Sequence, residues 1–250
     1  MNVLVTGAAG RLAQAIAAEL AGKHRLRLTD SVPVPTMDKT EFLQADLLDP
    51  AQMWQAVRGM DAVIHAAAFA SGAAGAEDAT DTHLLDLRTR GTHVLLSAAV
   101  EARVRRCVYA ATLAPFDAYP LDVYISEMFK PLPSPAMEGL SCYLGEVTCR
   151  EFARTYPLQV TILRLGTPVL EEEVAGQEPR LDWVDLRDAA QAFGCALNID
   201  SSGSLTFSHR FGVYHVCADI PNPRYLIARA KGMGYAPAHS FAAHWPQAGG

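Results

Sequence analysis

Two glycines close together, with an aspartate further on, are the first residues whose types and spacing suggest chemistry. Gly7 and Gly10 lie in the stretch Gly7-Ala8-Ala9-Gly10-Arg11-Leu12-Ala13, and Asp30 follows twenty residues after Gly10. A glycine at the first position permits a tight turn, and one at the second lets the backbone approach an anion. A helix that opens there aims its unpaired N–H groups at that anion. Ala13 stands where close packing of helix on strand is all that is required. A carboxylate at Asp30 accepts hydrogen bonds from a ribose diol and repels a 2′-phosphate. The pattern implies a dinucleotide site that favours NAD over NADP, with Gly7, Ala9, Gly10, Arg11, Leu12 and Asp30 at the cofactor.

These residues need a strand before the turn and a helix after it. Met1 to Thr6 is a short apolar run that reads as the strand, a helical pattern runs on through Leu20, and Leu26–Thr29 is a second strand ending in Asp30. Residues 31–39 hold two prolines and read as a loop; residues 41–45 form a third strand, closed by Asp46-Leu47 near the adenine. Asp49-Pro50 opens a helix to about Val57, because Asp caps well and Pro is tolerated at the first helical position. Residues 61–68 read as a buried strand ending in Ala66-Ala67-Ala68. Small side chains at a strand's carboxyl end leave room for a ligand, which is where open α/β sheets bind theirs. Residues 71–79 are rich in Gly and Ala and read as a loop over that edge, with Phe69 and Ser71 as candidate pocket residues. Further helices are expected at 81–102, 140–156, 186–197 and 223–231, and further strands at 105–111, 158–165 and 212–217. Strands alternating with helices predict an α/β fold, a doubly wound parallel sheet covered on both faces.

Composition narrows the function classes. The chain has 250 residues, 50% of them hydrophobic, enough for a substantial core in one domain. Its net charge is −6 and no basic stripe is visible, which argues against nucleic acid as a partner. No apolar run reaches membrane-spanning length, and the first residues enter a strand with no charged leader, so a cytoplasmic location is expected. Five cysteines, at 107, 142, 149, 195 and 217, form no disulfide framework and read as small buried hydrophobes. The histidines show no paired ligand spacing, so no metal site is expected. His65, within a strand, reads as a satisfied core histidine.

The glycine turn, the Asp46-Leu47 pair and the strand ending His65-Ala66-Ala67-Ala68 together resemble the extended short-chain dehydrogenase/reductases. Within that superfamily the chain is similar to the NAD-dependent epimerase/dehydratase family. Further matches are Gly91-Thr92, Val108-Tyr109-Ala110-Ala111-Thr112, Ile162-Leu163-Arg164-Leu165-Gly166 and Trp183-Val184-Asp185-Leu186-Arg187-Asp188. The resemblance spans residues 1 to about 240, and the short Arg-Leu-Gly-Thr-Pro stretch looks most like the compact uronate-dehydrogenase-like branch. It implies a Rossmann-type core (about 1–165 and 183–198) with a small C-terminal substrate lobe (about 166–182 and 199–250). It also implies a homodimer formed through the helices at about 81–102 and 140–156.

What the resemblance implies for chemistry is a hydride moved between nicotinamide and a small, sugar-like alcohol or ketone. A tyrosine takes or gives the hydroxyl proton, a Ser/Thr hydroxyl holds the oxygen, and a lysine four residues after the tyrosine lowers its pKa. Thr112 falls on the Ser/Thr position and Tyr143 on the tyrosine position, where it also borders the cofactor; Glu151 matches a family glutamate. The lysine position holds Val147, and the expected asparagine three residues before Gly91 is replaced by Arg88. Arg88 is therefore a candidate for the missing cation, against the alternative of a solvated surface arginine. Thr167 and Arg180 are candidate substrate residues, the latter able to fork onto a carboxylate or phosphate. Three functions stay open: a dehydrogenase, a redox-neutral epimerase, dehydratase or isomerase that keeps its NAD, and a non-catalytic dinucleotide sensor.

Overall fold

The computed structural model describes residues 1–35, 40–69, 81–199 and 206–245. Seven strands form one sheet in the order β3-β2-β1-β4-β5-β6-β9. They are β1 (Asn2–Thr6), β2 (Arg25–Asp30), β3 (Thr40–Gln44), β4 (Ala62–His65), β5 (Arg106–Thr112), β6 (Gln159–Leu165) and β9 (Phe211–Val216), and every neighbouring pair is parallel. Parallel strands put all their carboxyl ends on one edge, so the glycine turn, Asp30, Ala66–Ala68, Thr112 and Gly166 emerge side by side.

Alternation along the strands explains why both faces are covered. Val3 and Val5 pack with α1 (Arg11–Leu20) and α6 (Leu186–Leu197), whereas Leu4 between them packs with α2 (Pro50–Val57) and α4 (Thr92–Glu101). On β5, Val108 and Ala110 join the first of these layers, while Cys107, Tyr109 and Ala111 face α5 (Met137–Thr155). The cap foreseen for α2 is formed: Asp49 Oδ1 accepts from the N–H groups of Ala51 and Gln52 at 2.9 and 3.1 Å.

Four expectations are revised. The helix expected over 81–102 is three pieces: α3 (Asp81–Leu85), a π-helical turn (Asp86–Gly91) and α4. The wider turn carries Arg88 into the interior, and Gly91 brings the backbone so close to Leu47 that a Cβ would lie 2.7 Å from its Cδ2. The last helix, α8, begins at Ala228 rather than 223, because Arg224 and Leu226 spend their backbone groups on Ile125 instead, at 2.7 and 2.9 Å. A separate two-stranded ladder, β7 (Thr167–Val169) with β8 (Trp183–Asp185), was not anticipated. Finally β9, which lies in the segment assigned to the lobe, pairs with β6 as the seventh strand of the main sheet. A four-residue helix, α7 (Phe207–Arg210), precedes it.

Candidate active site

The glycine turn is pressed against the loop after β4. Gly7 has φ +74°, and a Cβ there would lie 2.6 Å from Ala67 Cα, so both the left-handed backbone and the close approach require glycine. Gly10 N–H donates to the Gly7 carbonyl at 2.9 Å, and as a glycine it lends α1 no side-chain cap. The first-turn N–H groups of α1 are thereby left for an anion. Asp30, half-buried at the end of β2, accepts from the N–H groups of Ala9 (3.0 Å, Oδ2) and Val32 (3.2 Å, Oδ1). This cradle, an uncapped helix start beside a carboxylate, has donor and acceptor groups that fit a dinucleotide.

The other cofactor candidates divide. Ala45 N–H donates to the Asp30 carbonyl at 2.9 Å, which brings the end of β3 to the same edge. There Asp46 is exposed, with Oδ1 accepting from Leu48 N–H at 2.9 Å, while Leu47 is buried in the layer formed by α2 and α4. The Leu12 side chain is in the core beneath α1, which leaves its backbone for the cradle. The Arg11 guanidinium is engaged by Glu173, 2.6 and 2.8 Å from the two carboxylate oxygens, and this pair holds the Glu173 carboxyl below its usual range. Ala66 and Ala68 are buried and Ala67 is half-buried, lined up next to the turn.

Thr112 and Tyr143 lie on touching elements. Thr112 N–H donates to Cys142 Sγ at 3.3 Å, and Cys142 directly precedes Tyr143 on α5. The Thr112 Oγ1 accepts from Ala114 N–H at 3.2 Å, which leaves its own proton free to donate. Tyr143 is half-buried, and its hydroxyl makes no hydrogen bond to any described residue. Burial pushes the Cys142 thiol up to about 12, against the opposing pull of Arg88, so it is no nucleophile at neutral pH.

Arg88 is not a solvated surface residue. It is 3% exposed, and its guanidinium donates to three acceptors: Ala68 O (2.9 Å), Glu138 O (2.7 Å) and Ser141 Oγ (3.3 Å). A single cation thus ties the loop after β4 to the first turns of α5, the helix that carries Tyr143. Among the described residues it has no carboxylate partner within ion-pair distance.

Thr167, Arg180 and Asp182, two of them the candidate substrate residues, form one network. Arg180 forks onto Asp182 at 2.9 and 2.8 Å, and Thr167 Oγ1 donates to the same carboxylate at 2.7 Å. The fork expected of Arg180 is therefore made within the chain. Phe69 is half-buried against the main apolar cluster, and Ser71 lies outside the described residues. Glu151 is on the surface, bonded to Arg150 and Arg154 of its own helix. His65 is fully buried with both ring nitrogens hydrogen-bonded, in line with a satisfied core histidine.

One buried pair escaped the sequence reading. Glu146 of α5 and Arg164 of β6, 5% and 6% exposed, are joined by three hydrogen bonds of 2.7–3.2 Å. The available signal was a charged residue inside the otherwise apolar run Ile162-Leu163-Arg164-Leu165. Asp182 was likewise missed. No group of three or more His, Cys, Asp or Glu able to hold a metal occurs among the described residues, and no helix among them is long and apolar enough to cross a membrane.

A model of the NAD dependent epimerase/dehydratase family matches residues 3–177. An NAD-dependent glucose-6-phosphate dehydrogenase of Haloferax volcanii is 28% identical over 94% of this chain and 92% of its own. A uronate dehydrogenase of Pseudomonas putida is 28% identical over 66% of this chain and 60% of its own. Among solved structures, a mutant uronate dehydrogenase from Agrobacterium tumefaciens in complex with NAD superposes with a TM-score of 0.80, covering 97% of this chain and 86% of that one at 21% identity.

Proposed function

Because the chain belongs to the NAD dependent epimerase/dehydratase family, we propose that it moves a hydride between nicotinamide and a hydroxyl or carbonyl carbon of a sugar-like or other small substrate. It is an NAD-dependent oxidoreductase or epimerase. The observation that carries the reading is convergence: the cradle, Asp30, Thr112 and the turn of α5 bearing Tyr143 all meet at one sheet edge. Two relatives named for glucose 6-phosphate and for uronates support a sugar substrate.

When bound, NAD supplies the hydride acceptor or donor. The backbone of Gly7, Ala9, Gly10, Arg11 and Leu12 would hold its pyrophosphate and Asp30 its ribose diol, with Asp46, Leu47 and Ala66–Ala68 as the further residues that would border it. Thr112 donates its free proton to the substrate oxygen, and Tyr143 takes or gives the reacting proton. A free tyrosine has a pKa of ~10, so only about one in a thousand is ionised at pH 7. Arg88 supplies the stabilising charge that Val147 cannot. Thr167 and Arg180 orient the substrate with Phe69 and Ser71, and an anionic substrate shares the Arg180 guanidinium with Asp182. Segments 166–182 and 199–250, apart from β9, make up the substrate side. Two copies pair through the outer faces of α4 and α5, where Leu144 and Tyr156 are exposed; light scattering reads that state.

The test is NADH absorbance over a panel of uronic acids, sugar phosphates, aldoses and secondary alcohols, from pH 7 to 10. Turnover that rises with pH and falls about 10²-fold or more in Tyr143→Phe supports a tyrosine dehydrogenase without the lysine. Zero turnover with NAD bound by calorimetry rejects it. Val147 favours a non-catalytic dinucleotide sensor, and zero turnover would select that sensor or a redox-neutral enzyme that keeps its NAD.

Asp30→Asn tests the cofactor assignment separately. The amide oxygen still accepts from Ala9 N–H, so the turn is retained while the negative charge is removed. Relative affinity for NADP over NAD is expected to rise roughly tenfold, a loss of like-charge discrimination, as read by titration with each nucleotide.

A further inference from the structure

Thr6 and His65 are the last residues of β1 and β4, paired in register, both buried. From them runs a chain of hydrogen bonds whose proton positions can be worked out one by one. Thr92 Oγ1 donates to the Arg88 carbonyl at 2.7 Å, and a carbonyl cannot donate back. With that proton committed, the 3.1 Å contact from His65 Nε2 to Thr92 Oγ1 needs a proton on Nε2. In a neutral ring with its one proton on Nε2 the other nitrogen is bare, so the Thr6 hydroxyl donates to His65 Nδ1 at 2.8 Å while its oxygen accepts from Ala67 N–H at 3.3 Å. Burial holds the His65 pKa down to about 3, which keeps the ring neutral, and the edge contact with the Tyr109 ring, centroids 5.5 Å apart, fixes its plane.

The two ends of this chain matter. Ala67 is the residue pressed against Gly7, and Arg88 is the cation that holds Ala68 O and the start of α5. We infer that His65 is a positioning residue: as a neutral Nε2–H imidazole it registers the π-helical turn carrying Arg88 against the glycine turn of the cofactor cradle. The inference rests on the cofactor and Arg88 roles proposed above. His65 touches no ligand itself; it acts through Thr6 on one side and Thr92 on the other.

The experiment is 15N–1H correlation of the histidine rings in the wild-type chain, joined to NAD calorimetry of His65→Leu and His65→Gln. Expected is a His65 ring with bare Nδ1 and protonated Nε2 that does not titrate between pH 5 and 9. NAD affinity is expected to fall about tenfold in His65→Leu, which cannot bridge the two threonines, and to recover to within about threefold in His65→Gln, whose amide can. A ring with protonated Nδ1, or titration near pH 6.5, overturns the inference without touching the Arg88 reading, which turnover of Arg88→Met tests independently. His65→Leu binding NAD as tightly as wild type also overturns it. The ring spectrum needs no variant, so a poorly folding mutant leaves the test intact.

Discussion

Arg164→Met is expected to destabilise the chain by about 3–5 kcal/mol, the cost of leaving a buried charge without its partner. Glu146 would keep its buried place on α5 with the three hydrogen bonds from Arg164 gone. The guanidinium also covers the Phe116 ring, 4.8 Å from its centroid, so packing is lost with the charge. For a chain of this length the loss corresponds to a melting temperature lower by roughly 10 °C or more. Arg164→Lys is expected to recover little, because a point charge cannot fork onto a carboxylate. The decisive comparison is the double variant Glu146→Leu with Arg164→Met, which removes both charges and is expected to regain most of the stability. A urea titration in which the single variant matches wild type, or the double variant is the worse of the two, would refute this account. Any effect on turnover should follow, since Arg164 pairs with Ala111, next to Thr112, and Glu146 is one turn beyond Tyr143.

Arg88→Met is expected to lower turnover by about 10²-fold or more, the usual scale of a lost proton-transfer contribution, and to move the pH profile to the alkaline side. A tyrosine with no cation to stabilise its anion ionises only near the free value of ~10. Removing the guanidinium also takes the Arg88 hydrogen bond from Ala68 O, a buried acceptor, at about 1–3 kcal/mol. Stability and chemistry can be told apart with Arg88→Lys, which restores the charge and only part of the hydrogen bonding: its pH profile should return toward wild type while its melting temperature stays low. Turnover of Arg88→Met within twofold of wild type would remove Arg88 from the mechanism and leave Tyr143 without a cation among the residues proposed here.

The cofactor half was legible because its signals are local. A glycine turn, a helix start and an acid at a set distance depend on backbone geometry within one βαβ unit, and the strand and helix periods report which side chains are buried. The same holds for the Asp49 cap and for helix α6, observed at the residues expected, 186–197. Arg88 shows where local reading stops. Its neighbours Leu87 and Thr89 gave no sign of a π-helical turn, because that turn is stabilised by acceptors twenty and fifty residues away, Ala68 O and Glu138 O. Arg180 read as a surface arginine able to fork onto a ligand, and its partner Asp182, directly before β8, is fixed only when β7 and β8 meet. Likewise β9 was assigned to the lobe, since which strand completes a parallel sheet is decided by the open edge of β6 and not by its own residues. Periodicity and turn chemistry are written within a few residues of where they act. The pairing of buried polar groups is not: each must find a partner inside the core, and only the packed chain determines which one lies within reach.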